Sequence, residues 1–132
     1  MTSPTVQLIN PPSLPSVPGY SQVVVVKGGE LVFVAGQVAL DATGAVVGMG
    51  DFAAQTAQTF RNLLAALEAA GTNASNLIKL TTFVTDMSQL AVFRSVRDQF
   101  LDRNHLPAST LVQVTRLFRP EFLIEIEAIA VR

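Results

Sequence analysis

The chain is poor in charged residues and contains neither cysteine nor tryptophan. Of its 132 residues, 14% are charged and 49% are hydrophobic, whereas an average soluble domain carries about 25% charged residues. Nine basic residues against ten acidic ones give a formal net charge of −1. Phosphate binding requires an excess of Lys and Arg, so this balance argues against a nucleic-acid partner. The lack of cysteine excludes disulfides and thiol chemistry and fits a cytoplasmic protein.

The sequence also offers little for a metal, a cofactor or a membrane. His105 is the single histidine, so a site of several His and Cys ligands cannot be built from one chain. The glycines at positions 44, 48 and 50 do not follow a phosphate-loop or dinucleotide spacing. No apolar run approaches the roughly 20 residues of a membrane span. Residues 1–4 show no basic segment before an apolar stretch, so we expect no secretory signal.

The length favours a single domain over residues 1–132. Residues 1–19 hold five of the seven prolines. Proline lacks the amide donor that a central strand needs, so we expect an irregular lead-in there.

The rest of the chain alternates between strand and helix patterns. Two β-branched runs, one on each side of Gly28-Gly29, predict a hairpin. Apolar residues at spacings of three and four predict two helices, one beginning after Asp51 and one opening at 86–88. The predicted elements are strands at 21–27 and 31–37, a helix at 52–70, a strand at 77–85, a helix to about residue 104, and strands at 109–117 and 123–131.

This order predicts an α+β fold in which two helices cover one face of a mixed sheet. The other face stays bare. Because the chain has few charges to cover that face, and exposed apolar patches usually mark contacts with another chain, we expect a homo-oligomer.

Three residue types remain as candidates for chemistry. Glu125 and Glu127 share one face of the last strand; they are either salt-bridged or placed so that one has a raised pKa and transfers protons. Tyr20, the only tyrosine, is either a packing anchor or a ligand contact. For His105, a solvated position at a helix exit is favoured over a functional one.

Six segments in order resemble the Rid family of reactive-intermediate deaminases, also called the YjgF/YER057c/UK114 family. The resemblance covers the chain from about Tyr20 onward and is carried by Pro18–Gln22, Val34–Gln37, Gln58–Gly71, Thr82–Asp86, Pro107–Thr110 and Ile124–Val131. It implies a chorismate-mutase-like fold, assembled as a homotrimer with a central barrel of sheets and ligand clefts between subunits. It also implies cofactor-free hydrolysis of 2-imino acids to 2-keto acids and ammonia, with Glu125 assisting proton transfer and Tyr20 lining the cleft.

The chain departs from the family pattern at several site positions. Ser109 stands where the archetype has the arginine that grips the substrate carboxylate, and Leu111 stands at its cysteine. A hydroxyl cannot replace the charge and geometry of a bidentate guanidinium. Ala35 replaces a serine beside Gly36, whose backbone we expect at the ligand. Arg94, at an asparagine position, is either a relocated cation or a solvent-facing charge paired with Asp98.

The resemblance leads to three hypotheses. The first is a cytoplasmic homotrimer that binds a small carbonyl or carboxylate metabolite between subunits and hydrolyses an imine or enamine on an altered substrate, with Glu125 as the acid and base. The second is a non-catalytic ligand-binding or regulatory trimer. The third, an endoribonuclease, is disfavoured because the sequence lacks the basic groove and stacking aromatics that single-stranded RNA requires.

Overall fold

The computed structural model describes residues 3–132; Met1 and Thr2, the start of the predicted lead-in, lie outside the described residues. Six strands and two helices follow one another along this part of the chain. They are β1 (Thr5–Ile9), β2 (Val23–Lys27), β3 (Leu31–Gln37), α1 (Phe52–Ala69), β4 (Leu77–Val84), α2 (Leu90–Arg97), β5 (Ala108–Gln113) and β6 (Ile124–Val131).

Four of the strands form a mixed sheet in the order β3-β6-β4-β5. The β4–β5 pair is parallel and the other two pairs are antiparallel. Helix α1 packs on β6 and β3, and α2 packs on α1. This arrangement confirms the predicted α+β fold with both helices on one face of a mixed sheet. The core between these layers includes Phe60, Leu63, Leu80, Ile124 and Ile126, each at most 1% exposed.

Helix α1 begins where the sequence predicts. The Asp51 carboxylate accepts a hydrogen bond from the Ala54 amide at 3.0 Å and so satisfies one of the unpaired donors of the first turn. The buried face of the helix contains Phe60, Leu63, Leu67 and Gln55, each fully buried, whereas Ala53 is exposed.

Gln55 is buried because its amide bonds three main-chain groups. Its Nε2 donates to the Glu121 carbonyl at 2.8 Å and to the Gly48 carbonyl at 3.2 Å. Its Oε1 accepts from the Leu123 amide at 2.9 Å. These bonds fix the start of β6, the strand that carries Glu125, against α1.

The prediction that residues 1–19 form an irregular lead-in is wrong for residues 5–9. These residues form β1, which pairs antiparallel with β2 from Thr5 opposite Lys27 to Ile9 opposite Val23. The prolines lie on either side of this segment, at Pro4 and from Pro11 onward, so every residue of β1 keeps its amide donor.

The predicted hairpin between β2 and β3 is also wrong. β2 pairs with β1, whereas β3 pairs with β6. Gly28 and Gly29 both adopt positive φ, 76° and 74°, a conformation that glycine reaches without steric cost. These two glycines turn the chain from the two-stranded sheet into the larger one.

Helix α2 is shorter than predicted. It begins at Leu90, directly after a 3-10 turn at Met87–Gln89, and it ends at Arg97. The Asp102 carboxylate accepts from the Asn104 amide at 2.9 Å and lies 3.0 Å from Nδ1 of the exposed His105 ring. Directly after the helix, the amides of Gln99 and Phe100 donate to the carbonyls of Val96 and Arg97 at 3.0 and 2.9 Å, so the chain continues in tighter turns.

The face of the sheet opposite the helices is open. It is apolar along β3, whereas the other three strands add polar groups, among them Thr81 and Glu127. Cross-strand partners share a face, which places Phe33 with Ile129, and Phe83 with Val112 and Glu125. Phe33 is 72% exposed and its strand neighbour on the same face, Leu31, is 61% exposed. We call the surface formed by Leu31, Phe33, Phe83, Val112 and Ile129 the open sheet face.

Candidate functional site

Glu125 lies on β6, on the open sheet face, directly opposite Phe83 of β4. The neighbouring strand β3 has an irregular register between Val34 and Gln37, and at this bulge its backbone comes close to the Glu125 side chain. A Cβ atom at Gly36 would lie 2.5 Å from Oε2 of Glu125 and 2.8 Å from its Cδ. Glycine at position 36 therefore makes room for the carboxylate, and the structure brings these two predicted site residues together.

The pKa of Glu125 is raised above its ordinary value, first by burial and then by the negative charge of Glu127. No ion pair within residues 3–132 includes either carboxylate. The sequence left salt bridging and proton transfer as alternatives, and the described part of the chain supplies no salt-bridge partner. A carboxyl group with a raised pKa accepts and releases a proton at a pH closer to neutral than an ordinary carboxyl group does.

A separate cavity of about 160 Å³ lies between β5 and α2. It brings together four of the predicted ligand residues, Tyr20, Arg94, Ser109 and Leu111. We call it the β5–α2 cavity. Its remaining lining residues are Pro18, Leu90, Phe93 and Arg97.

The segment that carries Tyr20 is attached to the start of β5. The Ser21 amide donates to the Pro107 carbonyl at 3.0 Å, and the Ser21 hydroxyl donates to the Leu106 carbonyl at 2.6 Å. Ser21 also forms a parallel bridge with Ala108. These bonds hold Tyr20 beside Ser109 at the mouth of the cavity.

Arg94 lines the cavity from an exposed position on α2. The interpretation that it pairs with Asp98 is wrong. Asp98 instead binds Arg97, with Nη2 to Oδ1 at 3.1 Å, and approaches Arg103, with Nη2 to Oδ2 at 3.6 Å. Arg97 directly precedes Asp98 in the sequence, and it is buried whereas Arg94 is exposed.

Arg97 is the site residue that the sequence reasoning missed. Its side chain is only 10% exposed and lines the cavity. The signal was present in the sequence: Arg97 follows Leu90 by seven residues and Phe93 by four, so it occupies the apolar stripe of the helix. A charged residue within such a stripe requires a partner or a cavity.

The predicted site residues divide between the two faces of the sheet. Ser109 and Leu111 are in register with Leu80 and Thr82, whose side chains lie on the helix-covered face. Glu125 points to the open sheet face. Within one chain the sheet separates Glu125 from the β5–α2 cavity, so no single ligand can contact both.

The described residues contain no cluster of three or more His, Asp or Glu side chains suited to a metal ion. Among the same residues, no helix combines the length and the apolar character needed to cross a membrane.

The protein has an α+β fold with two helices on one face of a mixed sheet. On the other, open face, the Glu125 carboxylate lies beside Gly36 at a β-bulge. Residues 12–132 match the protein family described as endoribonuclease L-PSP. The chain therefore belongs to the Rid/YjgF family, as the sequence resemblance indicated.

Individual relatives agree with this assignment. The chain is 39% identical over 111 residues to a RutC family protein of Pyrococcus horikoshii, covering 84% of this chain and 85% of that one. It is 38% identical over 107 residues to a 2-iminobutanoate/2-iminopropanoate deaminase of Salmonella typhimurium, covering 79% and 81%.

Solved structures give the same result. The Rid-family protein YyfB of Yersinia pestis, whose function is described as unknown, superposes with a TM-score of 0.88 at 36% identity over 96% of this chain and 98% of that one. TdcF of Escherichia coli, solved with bound serine, gives a TM-score of 0.71 at 34% identity, covering 96% and 98%.

Proposed function

We propose that the protein is a cytoplasmic homotrimer that binds a small carboxylate or carbonyl metabolite between subunits and hydrolyses an imine or enamine, with Glu125 as the acid and base. The observation that carries this proposal is the Glu125 carboxyl group. It lies beside Gly36, has no ion-pair partner within residues 3–132, and has a raised pKa.

The open sheet face supports the oligomer. Phe33, at 72% exposure, and Leu31, at 61%, lie on one strand beside further apolar side chains. Exposed apolar surface of this kind is a common feature of subunit contacts. Packing this face against other subunits would turn it into the interior of a closed assembly, which is the barrel that the family resemblance implies.

A site between subunits would also join the two halves that the sheet separates. Glu125 of one subunit would then face the Tyr20 and Ser109 cavity of its neighbour. Closed symmetry repeats such a contact at every interface, so a trimer would have three equivalent sites.

The proposed reaction is the addition of water to a carbon–nitrogen double bond. The Glu125 carboxylate accepts a proton from water as the water oxygen attacks the imine carbon. The resulting carboxyl group returns that proton to the imine nitrogen, which gives a carbinolamine. Glu125 then moves the hydroxyl proton of the carbinolamine to its amino group, the carbon–nitrogen bond breaks, and ammonia leaves a carbonyl product. One group serves as base and then as acid, which is why a pKa above the ordinary carboxyl value suits this step.

The relatives support the substrate class. Several are named 2-iminobutanoate/2-iminopropanoate deaminases, and the TdcF structure holds serine, a small molecule with a carboxylate. Because Ser109 stands at the position of the family's arginine, we expect a substrate that differs from those of the deaminases.

The test follows hydrolysis of freshly generated imino acids. An oxidase produces the imine from an amino acid, and semicarbazide traps it as a semicarbazone. The wild-type protein should reduce semicarbazone formation for at least one precursor, and Glu125→Gln should lower this activity by about 100-fold or more. Glu68→Gln makes the same chemical change at an exposed position of α1 and serves as the control.

Two results would contradict the proposal. The same semicarbazone signal with and without protein, across several amino-acid precursors, would exclude imine hydrolysis by this protein. A Glu125→Gln variant as active as the wild type removes the role of Glu125.

A second candidate function is favoured by Ser109 itself. A trimer that kept the cleft but lost the arginine could bind a metabolite without transforming it. Such a binder would raise its melting temperature with the logarithm of ligand concentration and release no product. Stabilisation by a metabolite that remains chemically unchanged would favour this function over hydrolysis.

A further inference from the structure

We propose that Arg97 binds the carboxylate of the ligand in the β5–α2 cavity and so supplies, from helix α2, the cation that position 109 lacks. This inference rests on the proposed function, because it assigns a residue and a ligand group to the same intersubunit site. It differs from the expectation drawn from the sequence, in which Arg94 was the candidate cation.

The burial of Arg97 is the first argument. Its side chain is 10% exposed, whereas Arg94 is exposed. A charge that is partly removed from water interacts more strongly with an anion than one at the surface, where solvent and salt screen it. Of the two arginines that line the cavity, Arg97 is the less screened by solvent, although its ion pair with Asp98 offsets part of its positive charge.

The hydrogen bonds of Arg97 leave part of its guanidinium available. Nε and Nη2 both donate to Oδ1 of Asp98 at 3.1 Å. Among residues 3–132, Nη1 makes no hydrogen bond. A guanidinium has five N–H donors, so this pairing with Asp98 orients the group and leaves donors for a second carboxylate. Arg97 lines both the β5–α2 cavity and a second cavity of about 330 Å³ that also contains Gly19 and Asp98.

The guanidinium is also held in place on its two sides. Gly19 has φ +89°, and a Cβ atom there would overlap the Arg97 guanidinium. The guanidinium carbon lies 5.9 Å from the centre of the Phe93 ring. A cation fixed in this way loses little freedom on binding, which favours affinity.

The other walls of the cavity indicate the kind of carboxylate. The volume of about 160 Å³ equals that of about five water molecules in the liquid. Ser109 and Tyr20 contribute hydroxyl groups, and Leu90 and Leu111 contribute apolar surface. These features suit a small carboxylic acid with a short apolar side chain and a second polar group next to the carboxylate.

The experiment measures binding of 2-oxobutanoate, a stable product of the proposed reaction type, by titration calorimetry to the purified assembly. Its uncharged counterpart, 2-oxobutanamide, is measured in parallel. Arg97→Met should weaken 2-oxobutanoate binding by about 30-fold or more and abolish the preference for the acid over the amide. Arg97→Lys keeps the charge and should retain part of that preference.

Two further variants separate the binding role from a structural one. Gly19→Ala keeps Arg97 but places a Cβ atom against its guanidinium and also strains the backbone at φ +89°. It should weaken binding of the acid more than of the amide. Arg103→Met removes an 80% exposed cation near the same Asp98 and is the matched control, with binding within about threefold of the wild type. Melting temperatures show whether each variant is folded. If Arg97→Met does not fold, the Arg97→Lys and Gly19→Ala data decide whether Arg97 binds the carboxylate.

The outcomes distinguish this inference from the proposed function. Equal binding by wild type and Arg97→Met, or a loss confined to Arg94→Met, overturns the role of Arg97 and leaves hydrolysis by Glu125 intact. Tighter binding of inorganic phosphate than of the acid overturns the choice of a carboxylate. Arg97-dependent binding without any imine hydrolysis supports the role of Arg97 and contradicts the catalytic proposal. Absence of 2-oxobutanoate binding to the wild type overturns this inference, whereas the proposed hydrolysis is judged by the semicarbazide assay.

Discussion

Adding one methyl group at position 36 tests whether the placement of the Glu125 carboxylate controls the proposed reaction. In Gly36→Ala, the new Cβ would lie 2.5 Å from Oε2, 2.8 Å from Cδ and 3.1 Å from Cγ of Glu125. Ordinary contacts of a Cβ atom begin near 3.4 Å. The carboxylate must therefore move by about 1 Å. All three close contacts are with this side chain, so the backbone of β3 can stay in place.

A displacement of this size has a large expected effect on rate and a small one on stability. Misplacing a reacting group by about 1 Å can cost about 100-fold in rate. Gly36 does not have the positive φ that restricts alanine, so we expect the denaturation midpoint of Gly36→Ala to stay near that of the wild type. Imine hydrolysis measured by semicarbazide competition gives the rate, and urea denaturation gives the stability.

A double-mutant cycle identifies the route of the effect. If the methyl group acts through Glu125, adding Gly36→Ala to Glu125→Gln should change the residual rate little. Equal losses in the wild-type and Glu125→Gln backgrounds would refute this reasoning. So would a Gly36→Ala variant with full activity.

Three further predictions concern stability. The raised pKa of Glu125 means that folding favours its protonated form. This contribution to stability is complete below the unfolded-state pKa and is lost as the pH rises through the folded-state pKa. Glu125→Gln should therefore be more stable than the wild type at neutral pH, and the difference in urea midpoint should vanish below about pH 4.5. Gln55→Met should lose about 3 kcal/mol of unfolding free energy because it leaves three main-chain partners unbonded. The control Gln58→Met, at a half-buried position of α1, should lose about 1 kcal/mol or less. Equal losses in urea titrations would contradict this expectation. The Thr82 hydroxyl is buried without a hydrogen-bond partner in the described residues, so Thr82→Val should raise the unfolding free energy by about 1 kcal/mol, and a loss of similar size would show that the hydroxyl is bonded.

The strand and helix patterns of the sequence were sufficient to predict the main architecture. Period-two alternation in β6 and the Asp51 cap of α1 are local signals, and the structure confirms both. The partner of β2 was not predictable in this way. β-Strand pairing depends on which segment reaches the strand, and the five residues of β1 were hidden by the prolines around them.

The candidate site was predictable in its residues but not in its arrangement. Four of the proposed ligand residues share the β5–α2 cavity, and Gly36 lies against Glu125. The division of these groups between two faces follows from the registers of β4 with β5 and β6, which depend on long-range pairing. Arg97 was missed because Arg94 was taken as the candidate cation of α2, although the position of Arg97 in the apolar stripe of the helix indicated burial.

The most direct test of the central claim, a site shared between subunits, is activity in mixed assemblies. Glu125→Gln and Arg97→Met chains are each nearly inactive in the proposed site, because each lacks one half of it. Unfolded together in equal amounts and refolded, they should recover about one quarter of the wild-type rate of imine hydrolysis, since about one interface in four of a closed ring combines an intact Glu125 with an intact Arg97 from the neighbouring subunit. A rate in the mixture no higher than the average of the two variants refolded separately would contradict the account.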